Sequence, residues 1–186
     1  MRYAQIRKMD ISNGEGIGIS LFVQGCHFHC KNCFNQETWD FKGGKEWTPA
    51  VEEGFIKLAG KPYIKRISIL GGEPLADENV KAVYDLIVHL REIYGDSKEI
   101  WLYTGYTWKE IILPNGQYEG RCDAFEAVIP KDGKPCTAKQ RARRDIVFGC
   151  DFVIDGRYNE ELKNPNLQFR GSSNQEIIDV KKYLGF

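Results

Sequence analysis

The sequence predicts an α/β domain built on parallel strands. Two regularities carry that prediction. Between residues 19 and 113 a short apolar run, a loop and an amphipathic helical stretch follow one another three times, the rhythm of βαβ units with right-handed crossovers. The chemically unusual segments also all fall directly after the apolar runs, where parallel sheets present ligand sites beyond the carboxyl ends of their strands.

In chain order, residues 1–13 mix apolar and polar positions (Tyr3, Ile6, Met9, Ile11) and suit an edge or one end of a core. Gly14, Gly16 and Gly18 follow at period two, allowing close backbone approach to a neighbour or ligand. They precede a strand, so they do not form a dinucleotide loop. Residues 19–23 are short, apolar and bounded by glycines, as in a buried strand. Thr48-Pro49 opens a helix to about Ala59, with Val51, Phe55 and Leu58 on one face and Gly60 beyond it. Residues 64–70 form the second strand, ending in Gly71-Gly72-Glu73-Pro74. Asp77 is placed to cap a long helix whose Val80, Val83, Leu86, Ile87, Leu90 and Ile93 keep a 3.6 period up to Gly95. Glu99–Tyr103 is the third strand, and Thr107 caps a short helix through Leu113. Residues 114–146 break the rhythm. Their Asn115-Gly116 and Asp132-Gly133 turns flank a possible strand at 124–129, as in an inserted loop or hairpin. The register resumes at 150–154 with Asp155-Gly156 at its end. A final helix over 175–184, capped by Asn174, buries Ile177, Ile178, Val180 and Leu184.

The 186 residues suit one domain, 1–186, with a sizeable core. Lys+Arg and Asp+Glu are balanced at 26 each, which disfavours a globally basic nucleic-acid binder. The start has no apolar secretory core, and no run approaches the ~20 apolar residues of a membrane span. A cytoplasmic protein with no nucleic-acid or membrane partner is expected. In a reducing compartment six cysteines are thiols or metal ligands more often than disulfides.

Cys26, Cys30 and Cys33 are spaced C-x3-C-x2-C directly after the first strand. Three thiolates on one loop can converge, and three protein ligands make an open site, whereas structural zinc takes four. One reading is a [4Fe–4S] cluster with a free iron. The other is a non-catalytic zinc module, with His27 or His29 as fourth ligand. Cys122, Cys136 and Cys150 stand apart, and no Ser/His/Asp or paired-carboxylate signature points to acid–base chemistry.

The run over residues 14–39, GEGIGISLFVQGCHFHCKNCFNQETW, resembles the radical S-adenosylmethionine enzymes. More narrowly it is similar to the activating proteins of anaerobic ribonucleoside-triphosphate reductases. Asn35-Gln36-Glu37-Thr38-Trp39 matches that family's continuation after the last cysteine, and residues 101–107, W-L-Y-T-G-Y-T, match its third strand end. Val153-Ile154-Asp155-Gly156 and residues 169–175, F-R-G-S-S-N-Q, match its last two segments. One match means little, but their shared order along the chain argues against accident.

The resemblance implies a partial (βα) barrel of radical S-adenosylmethionine type, open on one side, with 114–146 inserted. It implies that Cys26, Cys30 and Cys33 bind three irons of a [4Fe–4S] cluster and that S-adenosylmethionine takes the fourth. One electron then splits the sulfonium carbon–sulfur bond, giving methionine and a 5′-deoxyadenosyl radical that abstracts hydrogen from a glycine of the reductase's glycyl-radical subunit. Gly71, Gly72, Glu73, Thr104 and Asp155 are the implied cofactor-binding residues, with Gly71–Glu73 at the methionine ammonium. A donor such as flavodoxin or ferredoxin supplies the electron. The nearest alternatives are a radical enzyme for another glycyl-radical protein, or one acting on a small molecule as 7-carboxy-7-deazaguanine synthase does. Two departures stand out. Many relatives carry Arg where this chain has Gly18, and the inserted stretch is rich in Lys and Arg, a solvated surface or a docking face.

Overall fold

The computed structural model describes residues 1–112 and 137–185. Among them, seven strands form one sheet: β1 (Arg2–Asp10), β2 (Gly18–Val23), β3 (Lys45–Glu46), β4 (Arg66–Gly71), β5 (Glu99–Tyr103), β6 (Phe152–Asp155) and β7 (Glu176–Asp179). Their spatial order is β3-β1-β2-β4-β5-β6-β7. The four central strands run parallel, and β1, β3 and β7 add antiparallel edges. The helices are α1 (Pro49–Ala59), α2 (Val80–Tyr94), α3 (Trp108–Ile112), α4 (Ala138–Phe148) and α5 (Val180–Leu184).

Successive parallel strands are neighbours in this order, so right-handed crossovers leave the connecting helices on one face. Strand periodicity then sorts the side chains. Ile19, Leu21, Val23, Ile67, Ile69 and Leu102 belong to the core that Phe55 of α1, Leu86 of α2 and Ile146 of α4 complete. The alternate positions Ser20, Phe22, Arg66, Ser68, Trp101 and Tyr103 fall on the other face, which is unusually polar for an interior. Cys150 is buried in the helix-side core and donates to the Ile146 carbonyl at 3.2 Å.

Local signals act largely as read. The Thr48 hydroxyl accepts from Val51 N, with Pro49 in the first turn of α1, and Thr107 Oγ1 accepts from Glu110 N. Residues 1–13 supply edge strand β1. Three expectations change. Asp77 does not cap α2, which starts after Asn79; its carboxylate instead pairs with Lys139 and Arg143 of α4 at 2.7 and 2.6 Å. Residues 176–179 are strand rather than helix, because the β-branched pair Ile177-Ile178 covers the free edge of β6. The remaining helix is α5, capped by Asp179, while Asn174 Nδ2 donates to the Arg157 carbonyl. The expected insertion is also shorter. Its residues 138–146 belong to α4, opened by a Thr137/Gln140 capping box and packed on α2. The possible strand at 124–129, Cys122 and Cys136 lie outside the described residues. Among those described, no helix is long and apolar enough to cross a membrane.

Candidate metal and cofactor site

The cysteine loop leaves β2 through Gly25, whose φ of +98° and contact with the Phe41 ring leave no place for a side chain. The loop closes on itself: Gly25 N donates to Thr38 O at 2.7 Å, Cys26 N to Trp39 O at 3.0 Å, and Thr38 Oγ1 to Asn35 O at 2.7 Å. This is the work of the segment following the last cysteine. Cys26, Cys30 and Cys33 are half-buried free thiols that line one cavity of about 650 Å³. Burial pushes the Cys26 thiol up to about 11, and burial followed by the Cys33 neighbour raises Cys30. These groups hold protons near neutrality, so a metal must displace them.

Neither histidine lines the cavity. His27 Nε2 lies 3.0 Å from Glu78 Oε1 with its ring against Phe41, and His29 stacks on Trp39. Among the described residues, no three His, Cys, Asp or Glu side chains gather tightly enough for a single ion. One zinc draws its sulfurs to about 2.3 Å from a common point. In a four-iron cluster each thiolate caps a different iron, and the sulfurs stand further apart. Three cysteines facing one cavity without a histidine beside them therefore fit the cluster better than a zinc ion. The lining agrees. Among the described residues Glu73 is its sole carboxylate, against cations that include Arg7, Arg157 and Lys163. Trp39 and Tyr103, which also line it, each hold a buried donor, Nε1 and Oη, without a partner among the described residues. Such a cavity suits an acceptor-rich, negatively charged group.

The turn after β4 is stitched to this loop. Gly72 N donates to Val23 O at 2.9 Å and Glu73 N to Gly25 O at 2.7 Å. Asn79 Nδ2 donates to both Gln24 O and Glu73 O at 3.0 Å. A Cβ on Gly72 would collide with the Gly25 carbonyl. Gly71, Gly72, Glu73 and Thr104 all line the cavity, but the Glu73 carboxylate is turned into the protein. It accepts from Leu75 N at 2.8 Å, Thr104 Oγ1 at 2.8 Å and Gly105 N at 2.7 Å. Burial pushes it up to about 7 against the pull of those donors. Asp155 does not line the cavity. Its oxygens accept from Trp108 N and Glu176 N, fastening α3 and β7 to the end of β6, and Gly156 lines the cavity in its place.

Sequence reasoning missed Arg66. Fully buried, it donates to the carbonyls of Asp10, Asn13 and Glu15 and to Ser68 Oγ, with the Asp10 carboxylate 3.9 Å away. Gly14 and Gly18 make room for it: a Cβ on Gly18 would stand 2.7 Å from its Cζ. Gly18 and Arg66 are register partners on β2 and β4. At position 18, where the resemblance leads one to expect an arginine, the glycine instead makes room for a guanidinium from the neighbouring strand. The three period-two glycines were the available signal, since they announced a close approach without naming the neighbour.

A family described as a 4Fe-4S single cluster domain matches residues 12–178. The anaerobic ribonucleoside-triphosphate reductase-activating protein of Vibrio cholerae is 33% identical over 179 residues, covering 95% of this chain and 97% of its own. This chain belongs to that family. Its member from Escherichia coli is 33% identical over 184 residues, with 97% and 100% coverage. The family's Haemophilus influenzae member is 31% identical over 183, with 97% and 99%. The matched residues include the three cavity-lining cysteines.

Proposed function

We propose that this protein activates anaerobic ribonucleoside-triphosphate reductase by generating a glycyl radical on it. The observation that carries the reading is the meeting of Cys26, Cys30 and Cys33 with Gly71 and Gly72 on one cavity, with no fourth ligand gathered beside them among the described residues. When bound, a [4Fe–4S] cluster supplies the electron that cleaves S-adenosylmethionine and so drives hydrogen abstraction from a glycine of the reductase.

The chain's own contribution is placement. The three cysteines would hold the cluster as thiolates. Gly71 and Gly72, lacking side chains, offer peptide groups to the cofactor's ammonium beside the cysteine loop. Glu73 sets the distance between the ends of β4 and β5 through Thr104 and Gly105, a supporting role in place of direct contact. Asp155 similarly anchors the end of β6 so that Gly156 faces the cavity. Sequential parallel strands with helices on one face are the geometry of a (βα) barrel segment, and we read the sheet as a partial barrel whose open side admits a polypeptide. An external one-electron donor of the flavodoxin or ferredoxin kind completes the scheme.

Anaerobic reconstitution tests this. The wild-type chain is expected to become brown with about four irons, to lose them on Cys30→Ala, and to produce a glycyl-radical resonance when reduced with S-adenosylmethionine and the reductase. A colourless zinc protein, or an iron protein that leaves the reductase without radical, refutes it.

A further inference from the structure

The F-R-G-S-S-N-Q segment has no task in the chemistry above, and its geometry shows what it builds. Gln175 Oε1 accepts from Gly171 N and Ser172 N at 3.0 and 3.2 Å, while its Nε2 donates to Gly156 O at 3.0 Å. Ser172 Oγ accepts from Asn159 N at 3.1 Å, and Ser173 N donates to Leu162 O at 2.9 Å. Phe169, at φ +57°, sets its ring edge-on to Trp101. Gly171 lies under Phe34 of the cysteine loop, where a Cβ would stand 2.7 Å from the ring. The segment is a rigid frame closed onto β5, β6 and the cysteine loop.

Arg170 is the exception within it. It lines the cavity. Its Nε is buried without an acceptor, and its guanidinium makes no hydrogen bond, ion pair or ring contact among the described residues. A frame whose Ser172, Asn174 and Gln175 side chains are all hydrogen-bonded, and whose cavity-lining arginine is not, is preorganised for an acceptor from outside.

We propose that Arg170 receives the main chain of the reductase segment that carries the reactive glycine, donating to its backbone carbonyls; this rests on the function proposed above. Three points select that ligand. On that reading the cofactor's amino and carboxylate groups already have partners at the cluster and at Gly71–Gly72, on the wall made by β2 and β4. A polypeptide entering the cavity strips water from its carbonyls, and each then needs a donor. The flanking Pro165, Leu167 and Phe169 line the same cavity and give apolar surface for a chain to lie against. The fixed fork of an arginine can span neighbouring acceptors, which a lysine cannot.

The test uses the full-length, cluster-loaded enzyme with Arg170→Ala and Arg170→Lys. Reductase affinity is read by anisotropy of labelled reductase, and S-adenosylmethionine affinity by equilibrium dialysis. Arg170→Ala is expected to weaken reductase binding about tenfold or more, and Arg170→Lys to fall between it and wild type. Iron content and S-adenosylmethionine affinity stay at wild-type values. Lost S-adenosylmethionine affinity, with or without lost reductase binding, overturns the proposal and makes Arg170 a cofactor ligand. Unchanged reductase binding overturns it as well. If the alanine variant fails to fold, the lysine and glutamine variants, which keep the packed stem, decide by the same readings. A wild type that binds reductase and yields the radical while these variants match it refutes this inference alone. A wild type that does neither refutes the functional reading, and the inference falls with it.

Discussion

Glu73→Gln separates two forces that act on the same buried carboxylate. The side chain is 2% exposed and holds three donors on two oxygens, with Leu75 N and Thr104 Oγ1 on one and Gly105 N on the other. Burial nonetheless carries it from 4.5 to about 7. The folded state therefore binds the proton more tightly than the unfolded state does. The stability linked to that proton is fully present below the unfolded value and is lost as pH rises through the folded one. Integrating between those two values, ionisation costs about 1 kcal/mol at pH 5 and about 3 kcal/mol at pH 8. Glutamine has no such term. Its NH2 must instead face the Leu75 or the Gly105 N–H, a donor against a donor, at about 1–3 kcal/mol independent of pH. The wild type should accordingly be the more stable protein at pH 5. Its advantage should shrink by about 2 kcal/mol, to near zero or below, at pH 8. Urea unfolding of the cluster-free, reduced chain at the two pH values measures the difference, and other titrating groups cancel between the variants. An advantage that is the same at both values refutes the reasoning, for it means that the three donors outweigh burial and that Glu73 is ionised throughout.

Two other substitutions probe the frame. Arg66→Met takes a buried donor from the carbonyls of Asp10, Glu15 and Gly16 and the neighbouring positive charge from the buried Asp10 carboxylate, which keeps only its neutral donors from Ser12 and Asn13. It should cost about 3–5 kcal/mol in urea unfolding, with Arg66→Lys recovering only part of the loss because an ammonium cannot reach the same acceptors. Gly72→Ala drives a Cβ into the Gly25 carbonyl, so iron incorporation and S-adenosylmethionine affinity should fall together, measured by iron assay and equilibrium dialysis; an alanine variant with wild-type values for both would show that the two strand ends are not coupled.

Much of the fold was legible because it rests on local signals. The caps at Thr48 and Thr107, the 3.6 period of α2 and the short apolar runs of β2, β4 and β5 are each decided by residues within a few positions of one another. The misreadings share a cause. Ile177 and Ile178 fit a helical stripe as well as a strand, and the open edge of β6, set far away in sequence, resolved the ambiguity. Asp77 looked like a cap because an acidic residue precedes an apolar periodic run. Two cations from α4 claimed it instead. The basic stretch before Cys150 read as insertion because the turns before it obscured the capping box at Thr137.

The candidate site divides along the same line. The cysteine spacing and the glycines of Gly71-Gly72 are written in the chain, since a ligand loop and a side-chain-free turn are local chemistry, and with the family's motifs they were enough to place the protein in its family. Which polar groups are already satisfied is a property of the assembled fold alone. Glu73, Thr104 and Asp155 look free in the sequence, and the structure gives each of them backbone donors to hold. Arg66 and Arg170 look alike in the sequence, yet one is buried among carbonyls and the other faces the cavity with none. Some of those backbone donors are near neighbours, but Gly105 N for Glu73 and Trp108 N and Glu176 N for Asp155 are brought in by strand order, and no short window along the chain contains them.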